Sequence, residues 1–442
     1  MSTTAPPYFL AGAYAPVTEE LTTHDLPVTG TIPPELSGWY LRNGPNPHDA
    51  AAGHWFFGDG MIHGVRLAQG RAVSYRNRWV RTNAFTGNTL TEGPVGEDLT
   101  AGPANTHVVR HAGRLLALVE SSYPCEITTQ LETVGSYDFD GRLRTAMTAH
   151  PKTCPITGEL HFFGYSRRAP YLTYHRADAA GDLVLSRPID VPASTMMHDF
   201  AVTAEHVVFF DLPVVLTPAA PGQMNYRWDE AYQARIGVLR RDRPHGEVRW
   251  LNVNPCYVFH TVNAYDDADG RIVLHVMRYL RRFDGEQADR MHAATLWRWT
   301  VDLVAGRVDE EQLDDRTGEF PRIDDRMAGL PAEHGHVTTT RFAADGQHGA
   351  ITRYDLRTGA AVGSHEFTDG QVPGEAAFIA ADHTPDGPGW LVGYVYKPAT
   401  DTSDLVILDA DRLDAAPVAA IHLPARVPFG FHGNWIPDLS RT

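Results

Sequence analysis

Short stretches of alternating apolar and polar residues, each closed by a turn and answered by a second such stretch, recur from about residue 65 to the C-terminus. THVVRHAGRLLALVE turns at residues 111–113, and HTVNAYDDADGRIVLHVMRY turns at 266–270. IGVLRRDRPHGEVRWLNV, LWRWTVDLVAGRVDE, ITRYDLRTGAAVGSHEF and LVILDADRLDAAPVAAIHL repeat the scheme. Long stretches with the helical period of 3.6 are hard to find, so the pattern is all-β. The units recur every ~50 to 65 residues, the period of four-stranded blades around a central axis, and about six to eight of them would consume the chain. A large β-sandwich or a pair of β domains is the competing arrangement.

No Pro/Gly/Ser-rich linker divides the 442 residues, so residues 1–442 read as one domain preceded by an extended arm over about residues 1–20. Residues 212–237 are Pro-rich and then briefly amphipathic, as expected of an insertion over one mouth of a propeller. A hydrophobic content of 43% with 21% charged residues is ordinary for a globular chain, and no apolar run approaches the ~18 to 20 residues that span a bilayer. The N-terminus lacks the basic start and apolar core of a secretory signal, which makes the cytoplasm the expected compartment. Cys125, Cys154 and Cys256 are odd in number and contain no CxxC pair, so they read as reduced, buried thiols. A net charge of −16 disfavours nucleic acid and anionic lipid headgroups as partners.

Four of the 22 histidines sit in apolar or aromatic settings typical of a buried strand end: His150 in TAHPK, His198 in MMHDFAVT, His260 in YVFHTVNAYD and His432 in PFGFHGNW. Any one of them alone reads as an ordinary core histidine. Together they form a ligand set suited to iron, copper, nickel or zinc. The intervals 150–198, 198–260 and 260–432 exclude a local loop or finger. A propeller resolves this difficulty, because the innermost strand of every blade runs along one axis.

A four-imidazole site carries the full charge of its metal, so carboxylates are needed nearby to balance it and to accept the outer ring N–H of each ligand. Glu120 at the end of RLLALVE, Glu319 in GEFPRI and Glu375 in VPGEAAFIA are acidic residues in strand-like apolar contexts. Singly, each reads more readily as a carboxylate at a strand end facing solvent.

The four histidine motifs, with GWYLRNGPNP (38–47) and HWFFGDGMIHG (54–64), resemble those of the carotenoid cleavage oxygenases, in order and over nearly the whole chain from about residue 20. The resemblance implies a seven-bladed β-propeller with a loop and short-helix cap over one face. It implies one Fe2+ per chain on the axis, held by His150, His198, His260 and His432, with O2 as co-substrate. Glu120, Glu319 and Glu375 match glutamates that hydrogen-bond three of the four ligands, in an unassigned pairing. Thr106 in PANTHVV matches a threonine whose methyl group crowds one open coordination position, although a β-branched residue filling a strand fits the same sequence. The implied reaction adds both atoms of O2 across an electron-rich C=C bond and releases two carbonyl products.

Stilbene- and phenylpropenoid-cleaving members of that family carry a lysine immediately before the first of these glutamates, and a tyrosine often accompanies it. Here the lysine position is Val119, and the tyrosine position falls near Phe85 or Thr86. Valine cannot bind a phenol, which favours a carotenoid or apocarotenoid over a hydroxystilbene. The implied partner is an apolar small molecule; no nucleic acid and no obligate protein partner are implied. A substrate dissolved in membrane calls for peripheral membrane contact through an exposed apolar patch, for which residues 212–237 are the candidate. Cleavage of a stilbene or phenylpropenoid at the same iron, and a non-catalytic propeller acting as an interaction module, are the alternatives.

Overall fold

The computed structural model describes residues 7–48, 54–89, 98–218, 225–285, 293–343 and 346–438. Residues 1–6 of the arm and 219–224 of the insertion lie outside this range. The strands form a seven-bladed β-propeller. Blade 1 is built from Gly38–Pro45, Gly60–Ala68 and Arg71–Trp79, with Thr22–His24 outside and the last strand, Gly433–Pro437, inside. Blades 2 and 3 follow as His107–Ser136 and Lys152–Ile189, four strands each. Blade 4 comprises Ala201–Val202, His206–Asp211, Arg235–Arg240 and Arg249–Asn252, with the hairpin Val214–Leu216/Tyr226–Trp228 inserted between its second and third strands. Blades 5 and 6 start at the inner strands Tyr257–Asp266 and Thr317–Arg322. Blade 7 starts at Val372–Ala380 and takes Val28–Gly30 as its outermost strand.

Local sequence explains the hairpins. Gln69–Gly70 and Ala112–Gly113 both adopt positive φ at two consecutive positions, the conformation that lets a two-residue turn follow the right-handed twist of its strands. Burial is divided between blades: the largest apolar cluster spans blades 4, 5 and 6, and others join blades 1 with 7, 2 with 3 and 3 with 4. The ring closes where Gly38–Pro45 pairs antiparallel with Gly433–Pro437, so that both chain ends share blade 1. All three cysteines are buried and unpaired, as expected. The cap consists of loops and single 3-10 turns, among them Tyr8–Leu10, Gly12–Tyr14 and Trp55–Phe57. No helix among the described residues is long and apolar enough to cross a membrane.

Several histidines outside the axis are neutral core residues. His161 meets the Tyr174 hydroxyl at 2.6 Å, and His175 bridges Thr145 and Ser186 at 2.8 Å each. Burial lowers the pKa of His161, His175 and His336 from 6.5 to about 3, and that of His275 to about 4. Such groups take up their protons on unfolding. Their stabilisation is therefore complete well above pH 6.5 and declines as pH falls towards the folded values. The melting temperature is expected to fall steeply between pH 6.5 and 5. A flat profile over that range in a pH series of thermal melts would contradict the neutral-core assignment.

Candidate metal centre

Each of the four histidines enters the axis from an inner strand or the residues just before one. His150 lies two residues before Lys152–Thr153 of blade 3, and His198 lies three before Ala201–Val202 of blade 4. His432 immediately precedes the closing strand Gly433–Pro437. His260 sits inside Tyr257–Asp266, where the pairing register shifts between Val258 and Thr261. An irregularity of this kind kinks a strand and re-aims a side chain. Blades 6 and 7 repeat the device, with register shifts between Glu319 and Arg322 and between Pro373 and Ala376, around Glu375. Phe320, which follows Glu319, is held at φ 56°, and its backbone N–H donates to Glu319 Oε2 at 2.9 Å.

One nitrogen from each of His150, His198, His260 and His432 lies within 4.8 Å of the others. The pairing left open in the sequence is resolved: the Nδ1 atoms of His198, His260 and His432 meet Glu120 Oε2 at 2.6 Å, Glu319 Oε2 at 2.5 Å and Glu375 Oε1 at 3.0 Å. A carboxylate accepting from Nδ1 fixes the proton there and leaves the Nε2 lone pair free to bind a cation. His260 Nε2 is buried without a hydrogen-bond partner, and the Nε2 atoms of His150 and His198 face each other at 2.9 Å. Two facing lone pairs repel unless a cation or proton lies between them. Burial drives the pKa of His150 and His432 well below 6.5, keeping both in the neutral form that binds metal. At His260 burial acts in the same direction, but the Glu319 contact outweighs it and the pKa is raised.

The surrounding charges fit a bound cation. Asp199, fully buried next to His198, binds Lys152 Nζ at 2.7 Å and accepts from the backbone N–H and hydroxyl of Thr261 at 2.8 Å each. Arg322 lies 3.4 Å from Glu375 Oε2 and donates to the Gly433 carbonyl at 2.7 Å. The three glutamates and Asp199 outnumber the cations that meet them, Lys152 and Arg322, and Arg322 also pairs with Asp325, so the surroundings of the four imidazoles are net negative, as a bound cation requires.

Sequence reading missed several participants. Tyr165 donates to Glu120 Oε1 at 2.7 Å, and its hydroxyl lies 3.0 Å from that of Tyr226 on the inserted hairpin, so a chain of hydrogen bonds runs from the insertion to His198. Phe320 packs 5.8 Å from the His260 ring and 5.5 Å from that of His432, and Phe259 lies edge-on to His198 at 5.0 Å. Of these Asp199 and Lys152 carried a signal, as charged residues beside the histidines in MHDF and TAHPK, and so did Phe259, an aromatic residue next to His260 suited to an apolar tunnel.

Thr106 is buried at the start of blade 2, and its carbonyl accepts from the His432 backbone N–H at 3.1 Å. Its hydroxyl donates to Asn105, which itself binds the carbonyls of Phe56 and Gly58. The polar atom is thereby engaged, and the methyl is the end left for other contacts. Val119 is 8% exposed and packs where a Cβ on Gly102 would stand 2.9 Å from its Cγ1. Phe85 packs on His48 and Trp79 at the rim of blade 1, not against the four histidines among the described contacts.

Replacing Tyr165 by Phe removes the hydroxyl that donates to Glu120 while preserving shape. It is expected to weaken metal binding about fivefold, and Glu319→Gln about 10- to 100-fold. Competition titrations with a chelator will measure both, and wild-type affinity in Glu319→Gln would contradict the arrangement.

The family model described as retinal pigment epithelial membrane protein (RPE65) matches residues 14–437. A carotenoid cleavage oxygenase of Mycobacterium tuberculosis is 37% identical, over 97% of both chains. Carotenoid 9,10(9',10')-cleavage dioxygenase 1 of Arabidopsis thaliana is 32% identical, over 98% of this chain and 90% of its own. Among solved structures, the lignostilbene dioxygenase of Pseudomonas brassicacearum superposes with a TM-score of 0.87 at 29% identity, covering 98% of this chain and 99% of that one. Cobalt-substituted apocarotenoid oxygenase of Synechocystis gives 0.83 at 27%, covering 96% and 98%. With its propeller, its axial histidines and these matches, the chain belongs to the carotenoid cleavage oxygenase family.

Proposed function

We propose that this protein is a non-haem Fe(II) dioxygenase that cleaves a conjugated C=C bond of a carotenoid or apocarotenoid with O2, giving two carbonyl products. The observation that carries this reading is the set of inward-facing imidazoles, three of them locked by carboxylates on their outer nitrogens. His150, His198, His260 and His432 would hold the iron. Held by four neutral nitrogens, with no thiolate or carboxylate in the ligand set, ferrous iron would supply O2 activation there. The protein's part is positional. Glu120, Glu319 and Glu375 orient the ligands, and Thr106, with its hydroxyl turned to Asn105, would leave its methyl group to crowd the site. Phe320 and Phe259 give the site apolar walls that exclude water and suit a polyene.

A stilbene or phenylpropenoid substrate is the second reading, supported by the likeness to lignostilbene dioxygenase. Val119 weighs against it, because an apolar side chain beside Glu120 cannot bind a phenolic oxygen. Phe85 would bear on specificity only through the rim of blade 1. We place the protein in the cytoplasm, with peripheral contact to a membrane where the substrate is dissolved there.

Protein reconstituted with one equivalent of Fe(II) is expected to bleach members of a carotenoid and apocarotenoid panel under 18O2, with both carbonyl products labelled. Cleavage of a hydroxystilbene with every polyene untouched would transfer the assignment to the second reading. His198→Ala and His260→Ala are expected to abolish iron retention and turnover together. Iron analysis of the purified variants checks this, and near-zero iron in reconstituted wild type would leave only a non-catalytic propeller.

A further inference from the structure

Arg42 lies in the GWYLRNGPNP strand of blade 1 and is only 5% exposed. Among the described residues no carboxylate pairs with it, and its Nε is buried without a hydrogen-bond partner. Its guanidinium faces aromatic rings, with Cζ 5.9 Å from the centre of the Tyr394 ring. The Tyr394 hydroxyl is likewise buried with no partner. Gly430 lets the guanidinium lie here, since a Cβ at that position would displace Arg42 Nη1. Tyr40, Arg42, Glu375, Tyr394, Phe429 and Gly430 all line one cavity of ≈ 20 Å³ between blades 1 and 7. A free volume of about 10 to 15 Å³ holds one water-sized particle.

We propose that this cavity is a binding site for a small monovalent anion, with chloride as the occupant under ordinary salt conditions. An arginine does not give up its proton in a protein, and a buried charge without a counter-charge is costly. Water would satisfy the unpaired N–H and hydroxyl groups but not the charge; an anion satisfies both. The Tyr394 hydroxyl supplies a further donor. Glu375 does not fill this role, because its Oε1 is committed to His432 and its Oε2 to the Gly433 N–H and Arg322. Tyr40 is also engaged, donating to the Glu375 carbonyl at 3.1 Å. The anion would join the Arg42 strand to the loop 427–431 that delivers His432 to the axis. It acts as a clasp for ring closure and does not take part in the oxidation.

Holoprotein crystals soaked in bromide are expected to show an anomalous peak in contact with the Arg42 guanidinium and the Tyr394 hydroxyl. In solution, millimolar chloride is expected to raise the melting temperature above that in gluconate at matched ionic strength, with a saturable dependence. Arg42→Gln risks unfolding the blade, so the informative variant is Tyr394→Phe, which keeps the charge and removes one donor. It should need about five times more chloride for half-saturation. Water-like density without anomalous signal at Arg42, equal melting in chloride and gluconate, or an unchanged midpoint in Tyr394→Phe would each overturn the proposal. So would a bromide peak with no response in solution, which means binding at crystal concentration only.

Discussion

The buried electrostatic balance on the axis is the constraint on which the rest of the structure depends. Four imidazoles cannot gather in an apolar interior as cations, and burial holds His150 and His432 neutral. Neutral ligands leave a metal's charge uncompensated, so the carboxylates must be close. They must also be fixed, since a free glutamate could displace an imidazole or turn to solvent. Glu120, Glu319 and Glu375 are each anchored by a second contact: Tyr165 for Glu120, the Phe320 N–H for Glu319, and the Gly433 N–H with Arg322 for Glu375. Asp199 extends the balance by joining Lys152 on blade 3 to Thr261 on blade 5.

A propeller suits this balance because every blade offers the axis one strand, but a regular strand would point each side chain along a fixed alternation. The register shifts at His260, Glu319 and Glu375 break that alternation where ligand and carboxylate must meet across neighbouring blades. Glu319 of blade 6 reaches His260 of blade 5, and Glu375 of blade 7 reaches His432, which leads into blade 1. Each contact therefore joins two blades, and so does that of Glu120 with His198.

The recurring hairpins and the four histidines were legible in the sequence because both depend on strong local signals: a period of two in hydropathy, and imidazoles set in apolar runs. The pairing of glutamate with histidine was not legible, because it depends on which blades are neighbours and on bulges that leave no compositional mark. Tyr165 and Tyr226 look like ordinary strand aromatics, and only the folded chain brings their hydroxyls to Glu120. Arg42 sits in a motif that was read as an identifier of the chain rather than as a buried charge. A loop position such as that of Phe85 cannot be aligned by periodicity, and its ring lies on Trp79 at the rim.

Ring closure and metal binding meet in one segment. The final strand, Gly433–Pro437, closes blade 1 against Gly38–Pro45, and the residue before it is His432. Its Gly433 N–H binds the same glutamate that orients His432, and the His432 backbone N–H binds the Thr106 carbonyl of blade 2. A fourth ligand placed at the clasp of the ring has two consequences. With His432 as a ligand, opening blade 1 would remove it, and filling the site would add a bond that resists opening. Metal affinity and propeller stability are thus two measures of one linked equilibrium, and the buried Arg42 lies against the same loop.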